Sequence, residues 1–231
     1  MNTKPILMSA PMVRALLEGR KTQTRRVVKP QPARDADFVN MTWETSQEGY
    51  QHFCKTANWW DESGNCTEED IVRCPYGMAG DLLWVREAIS KGGWQPPIYR
   101  ADEESRYGKG VAAANNIWVP SIHMPRRASR LTLELTNVRV ERLNDISEED
   151  AIAEGIRPMD ITVLTKNSSI PQTHAYPNHN GAGWCEDIIH SFSTLWESIN
   201  GKESWATNPF LWCLSFRVHK RNVDELLRGA A

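Results

Sequence analysis

Apolar and polar residues alternate over 130–143, RLTLELTNVRVERL, where Leu131, Leu133 and Leu135 oppose Thr132, Glu134 and Thr136. A period of two predicts a half-buried strand that continues into a second one. Over 186–200, EDIIHSFSTLWESIN, the period lengthens. Ile188, Ile189, Phe192, Leu195, Trp196 and Ile199 fall on one helical stripe, expected to face the core. PILM (5–8) reads as a short strand. Ser9 stands as an N-cap, Pro11 sits in the first turn, and Met12, Leu16 and Leu17 carry the helix to a stop at Gly19. KTQTRRVV (21–28) reads as extended and GDLLWVREA (80–88) as a strand entered from a Gly-Asp turn. NPFLWCLSFRV (208–218) predicts a buried strand, and DELL a short closing helix. Ser147 opens another helix with Asp150 three residues on, an approximate capping box, and Gly155 ends it.

Three irregular stretches separate these elements, at about 30–77, 91–128 and 157–183, each with Pro, Gly or polar clusters. Without them, strands dominate and no βαβ rhythm repeats. The expectation is a single α+β domain over 1–231, a small mixed β-barrel with flanking helices and three loop-rich insertions.

Composition narrows the class. The 231 residues are 40% hydrophobic and 24% charged, which suits a folded globular protein and excludes overall disorder. No apolar run approaches the roughly 20 residues that span a bilayer, and MNTKPILMSAP lacks the apolar core of a signal peptide. Five cysteines without framework spacing fit a reducing, cytoplasmic setting. His52, Cys54, Cys66 and Cys74 share one insertion, but no short Cys–Cys knuckle joins them, so zinc is not expected. Cys74, beside Pro75 and Tyr76, has no partner base in the sequence. Ten tryptophans are read first as packing, with Trp84 and Trp212 in the core. Trp59, Trp60, Trp94 and Trp118 lie in the insertions, and Trp94 and Trp118 are the better stacking candidates for a base. His174 and His179 sit in a loop suited to cover a cleft.

Charge changes the picture at one place. The net charge is −2, so nucleic-acid binding needs a local basic patch. Just after Gly19, the stretch Arg20–Arg26 holds four cations, Arg20, Lys21, Arg25 and Arg26, with the hydroxyls of Thr22 and Thr24. A phosphate-binding P-loop follows a strand and opens a helix. Here the order is inverted, and that reading is excluded.

The helix–GRKTQTRR–strand arrangement resembles the ASCH domain, a branch of the PUA-like barrel superfamily. Three further segments look like the family's in the same order: GDLLWV (80–85), RLNDISEEDAIAEGI (142–156) and FSTLWESINGKESWATNPFLWCLSF (192–216). The insertions, with CPYG and SIHMPRRASR, look most like the longer ASCH proteins of bacteriophages and prophages, which implies the cytoplasm of a bacterial host cell. One enzymatic branch consists of amidohydrolases that remove the acetyl group from the exocyclic amine of acetylcytidine. Matched position by position, that resemblance implies Lys21, Thr24 and Glu154 as the catalytic residues. It implies a modified pyrimidine nucleoside or nucleotide as substrate and no metal or organic cofactor. The three insertions depart from that branch.

The chemistry sets conditions. A Thr hydroxyl is a weak nucleophile until a neighbour accepts its proton. A Lys accepts it only if desolvation or nearby cations lower its pKa from about 10.4, and Arg20, Arg25 and Arg26 are close in sequence. Positions 21 and 24 of a regular strand face opposite sides, so Lys21 must lie in the turn after Gly19 if both serve one site. Glu154 precedes the Gly stop, where the negative end of a helix disfavours a second negative charge and suits a proton donor. The alternative is a non-catalytic RNA- or modified-base-binding module. Arg20, Lys21, Arg25, Arg26 and Lys29, with Arg126, Arg127 and Arg130, would then form one face for RNA or single-stranded nucleic acid. The same arginines are also available to pair with the chain's 29 acidic residues. The sequence leaves both readings standing.

Overall fold

A computed structural model describes residues 1–31, 74–91, 97–102, 118–159, 175–181 and 183–229. The chain is α+β, built on a mixed five-stranded sheet. Strand β1 (Thr3–Leu7) leads into helix α1 (Ala10–Leu17) and then β2 (Gln23–Val27). Next come β3 (Leu82–Arg86), β4 (Ile89–Ser90), β5 (Trp118–Val119) and β6 (Thr132–Arg142). Helix α2 (Glu148–Ala153), β7 (Tyr176–Pro177), β8 (Trp184–Cys185), α3 (Ile188–Asn200), β9 (Phe210–His219) and α4 (Val223–Gly229) complete the order. The main sheet runs β1-β3-β6-β9-β2, with β1 and β3 parallel and the other neighbours antiparallel. Among the described residues β1 and β2 are the two ends of this order and no ladder joins them, where the sequence predicts a closed barrel.

Alternation along the strands divides the interior. From β9, Phe210, Trp212, Leu214 and Phe216 enter the main core with Leu83 and Val85 of β3 and Val13 and Leu16 of α1. Leu211 and Cys213 point the other way, to Phe192 and Trp196 of α3 and Ala151 of α2. Leu82 and Trp84 pack with Val223 of α4.

The sequence predicts two strands over 130–143, but β6 is a single 11-residue strand. A register shift against β9 falls between Leu135 and Asn137, with Thr136 between them. One extra residue reverses the phase of a period-two pattern. That is why Leu133 and Leu135 precede the shift, Val138 follows it, and all three still reach the main core.

The α3 stripe also differs from the expectation. Ile188, Phe192 and Trp196 are buried, but Ile199 is 55% exposed, and the outer end of the stripe faces a cavity rather than solid core. Short β4–β5 and β7–β8 ladders occupy parts of the stretches read as loop. His52, Cys54, Trp59, Trp60, Cys66, Trp94 and His174 lie outside the described residues. No helix among the described residues is long and apolar enough to cross a membrane.

Candidate active site

Two helix ends meet at the edge of the sheet. Helix α1 stops at Gly19, whose φ of 74° favours glycine, and the N–H groups of Arg20 and Lys21 both bond Ala15 O. The backbone N–H of Thr22 then donates to Ala153 O, at 2.9 Å, tying this turn to the end of α2. Helix α2 begins under the Ser147 cap, whose Oγ accepts from Asp150 N, and ends before Gly155. Gly155 has φ 101°, and a Cβ there would lie 3.2 Å from Ala15 Cβ and 3.4 Å from Lys21 Cβ. The approach of the two ends therefore favours glycine for its φ, and a Cβ there would also crowd Ala15.

This approach joins two of the expected residues. Lys21 lies in the turn, ahead of regular pairing, and its Nζ donates to Glu154 O at 2.9 Å and to Glu154 Oε2 at 2.5 Å. Both side chains are buried, Lys21 almost completely. Burial pushes the Lys21 ammonium below its ordinary pKa of 10.5. The Glu154 carboxylate opposes that shift without cancelling it, and Arg26 and Arg25 add to it. Glu154 Oε1 has no hydrogen bond and sits 3.6 Å from Arg25 Nη1.

Alternation in β2 separates the remaining residues. Gln23 and Arg25 face α2, while Thr24 and Arg26 turn toward α1 and β1. Arg25 is 3% exposed and sits in a network that sequence reasoning missed. Its Nη1 donates to Gln23 Oε1, and its Nη2 to Asp150 Oδ2 at 2.6 Å and Glu141 Oε2 at 3.1 Å. Arg139 pairs with the same Asp150 and Glu141. Burial opposes charge on Asp150, but Arg25 foremost, with Arg139 and Gln23, holds its carboxyl below the usual range. Cys213 Sγ donates to Glu141 Oε2, and burial pushes its thiol far up, so it is no thiolate nucleophile. The one legible signal for this network was the period-two spacing of Gln23 and Arg25 facing an acidic helix. Nothing local pointed to Arg139, Glu141 or Cys213.

Thr24 is fully buried, and its Oγ1 accepts from Arg26 Nη1 at 3.0 Å rather than from Lys21. Beside it opens a cavity of about 400 Å³, within the range of small-molecule sites. Arg25, Arg26 and Glu154 meet Phe192 and Trp196 of α3 along its wall, and Met8 and Ser9 at the start of α1 complete one side. Lys21 and Thr24 lie behind this wall rather than in it.

The other expected cations are dispersed. Arg20 holds Glu18 and Gly155 O beside the turn. Arg126 is bound to Asp224 and Thr3, and Arg127 is exposed. Arg130 is fully engaged by Glu87 and Asp102 and stacks 3.9 Å over the Tyr99 ring. The structure therefore does not join Arg126 and Arg130 to Arg25 and Arg26 as one open basic face. His179 is held by its backbone to Thr194 of α3 and does not line the cavity. Trp118 is half-buried in the β4–β5 ladder. Cys74 is a free thiol whose pKa burial raises.

Comparison with known protein families, curated proteins and solved structures gives no match. What the site can do rests on its own geometry. Among the described residues no group of His, Cys, Asp and Glu is arranged to hold a metal ion. The cavity wall holds a glutamate, two guanidinium groups and an aromatic surface, with a lysine and a buried hydroxyl behind it, which suit proton transfer and binding of a flat polar ligand.

Proposed function

We propose that the chain is an ASCH-type amidohydrolase that removes an acyl group from the exocyclic amine of a cytidine-type nucleoside or nucleotide. In this reading the open sheet belongs to a PUA-like barrel, its seam bridged by α1 and by the bond from Arg26 Nη2 to Leu7 O. The observation that carries the reading is the buried contact between Lys21 Nζ and Glu154, whose second carboxylate oxygen is left unbonded at the cavity.

One proton shifted within that pair gives a neutral amine and a neutral acid together, the base and the acid that the reaction needs. Thr24 Oγ1 attacks the acyl carbon while Lys21 Nζ takes its proton. As the C–N bond breaks, the Glu154 acid donates to the departing amine and leaves an acyl ester on Thr24. Water then attacks the ester, giving its proton to the Glu154 carboxylate, and the Lys21 ammonium returns a proton to Thr24 Oγ1. The steps release one carboxylic acid and restore the starting pair. For the attack, Arg26 Nη1 must release Thr24 Oγ1. Phe192 and Trp196 provide the flat apolar wall for the base.

The binding-module reading has less support, because Arg126 and Arg130 are spent on internal carboxylates. The test is release of cytidine from acetylcytidine, followed by chromatography. Wild type is expected to turn over, and Lys21→Ala, Thr24→Ala and Glu154→Gln are each expected to lose about 10²–10⁴-fold in kcat. No release from folded wild-type protein rules out this substrate.

A further inference from the structure

Among the described residues the charges around the cavity do not cancel. Lys21, Arg25 and Arg139 are ion-paired with Glu154, Asp150 and Glu141, three cations against three carboxylates. Arg26, on the cavity wall, makes no ion pair among the described residues. Its Nη1 donates to Thr24 Oγ1 and Arg25 O, both at 3.0 Å. Its Nη2 donates to Leu7 O at 2.9 Å and lies 3.7 Å from Met8 Sδ. All four acceptors are uncharged.

Two residues of the same wall carry further donors without a partner. Arg25 Nε and Trp196 Nε1 are buried without a hydrogen-bond partner, on residues that are 3% and 6% exposed. Buried N–H groups left unpaired are costly, and a ligand acceptor removes the cost. The start of α1 lies on this wall as well, through Met8, Ser9 and Met12. The Ser9 side chain makes no capping bond and the first turn holds no acidic residue, so among the described residues neither a cap nor a first-turn carboxylate meets the positive end of this helix.

We infer that the cavity takes an anionic group on Arg26 and the start of α1, and that the ligand is a 5′-nucleotide whose phosphate fills this place. The anion site follows from the charges and donors alone. Its assignment to a cytidine nucleotide rests on the amidohydrolase reading. A phosphate bound here draws the Arg26 guanidinium toward α1 and off Thr24 Oγ1, which frees the hydroxyl behind it.

Calorimetric titration with cytidine, cytidine 5′-monophosphate and inorganic phosphate tests this, using wild type, Arg26→Gln and Arg26→Lys with their unfolding midpoints checked. The monophosphate is expected to bind at least about tenfold more tightly than the nucleoside, since hydrogen bonds to charged groups are the stronger ones. That preference should shrink with salt, vanish in Arg26→Gln and survive in part in Arg26→Lys. Equal affinity for nucleoside and monophosphate, no binding of either, or a preference that persists in Arg26→Gln would overturn the inference. Inorganic phosphate binding as tightly as the monophosphate would overturn the nucleotide assignment and leave a free-phosphate site. Turnover in the same preparations separates the two ideas. Hydrolysis of acetylcytidine without a phosphate preference removes the anion site and keeps the enzyme, and a preference without hydrolysis does the reverse.

Discussion

Two buried charge clusters in this molecule are built from the same kinds of groups and end differently. Around Arg130, Nε, Nη1 and Nη2 are all bonded, and both oxygens of Glu87 and both of Asp102 accept from them. Tyr99 closes the guanidinium face and donates its own hydroxyl to Ala128 O. Around Lys21 and Arg25 the charges also pair, yet Glu154 Oε1 and Arg25 Nε remain unbonded, with a cavity alongside. The closed cluster holds the segment after β4 against the chain that leads into β6. The open one has polar atoms and space left for something else. A buried ion pair by itself therefore points to no function. Unmet hydrogen-bonding capacity beside a cavity does.

Cutting one carboxylate from each cluster sharpens the contrast, and Glu87→Ala should give the larger loss. Arginine cannot shed its proton. Removing Glu87, whose side chain is 2% exposed, leaves Arg130 with Asp102 alone, at a cost of about 3 kcal/mol or more by urea unfolding. Glu154→Gln should cost less, about 1–3 kcal/mol. Lys21, already lowered by burial, can become neutral. Its folded pKa lies below the 10.5 of the unfolded chain, so between the two the unfolded state binds more protons and stability rises with pH. Glu154→Gln removes the carboxylate that holds the Lys21 pKa up, so it should gain more stability than Glu87→Ala as pH rises toward 10.5. Parallel pH dependences in the two variants would argue that Glu154 does not hold the Lys21 pKa up.

A smaller effect comes from Asp150, which links Arg25 and Arg139. Its folded pKa is below the ordinary 3.8, so its stabilisation is complete above that value and is lost as pH falls through the folded pKa. Asp150→Asn should cost about 1–2 kcal/mol at neutral pH and flatten acid unfolding below pH 3.8, as followed by circular dichroism. The Ser147 cap accepts from the backbone N–H of residue 150, so the substitution spares it. An unchanged acid limb would mean that Glu141 alone satisfies Arg25.

Local signals carried much of the fold. Gly19 and Gly155 marked two helix ends because each takes a positive φ, and Ser147 marked a cap because its hydroxyl meets a helical N–H. The β6 bulge was hidden, since a phase reversal in an alternating pattern looks the same as two strands. The Lys21–Glu154 contact spans 133 residues of chain, and no spacing rule encodes it. Only the resemblance in segment order put the two together. Thr24 was expected beside Lys21, yet alternation gave its hydroxyl to Arg26, two residues along the same strand face. The α3 stripe looked like core because a cavity wall is apolar too.

The smallest expected effect concerns the cations outside the cavity. Arg126 pairs with Asp224 where both side chains are well exposed, at 34% and 45%. Exposed pairs contribute about 0–1 kcal/mol, and salt screens them. Arg126→Ala should lower stability by less than about 1 kcal/mol, a difference that disappears at high salt. If the ligand is a single nucleotide held at Arg26, the same variant should bind cytidine 5′-monophosphate as wild type does. A loss of nucleotide affinity in Arg126→Ala would extend the site beyond the cavity wall and restore the continuous basic face that a polymer needs. Unchanged affinity, with Arg26→Gln losing its phosphate preference, would confine recognition to Arg26, the cation on the cavity wall that no carboxylate pairs among the described residues.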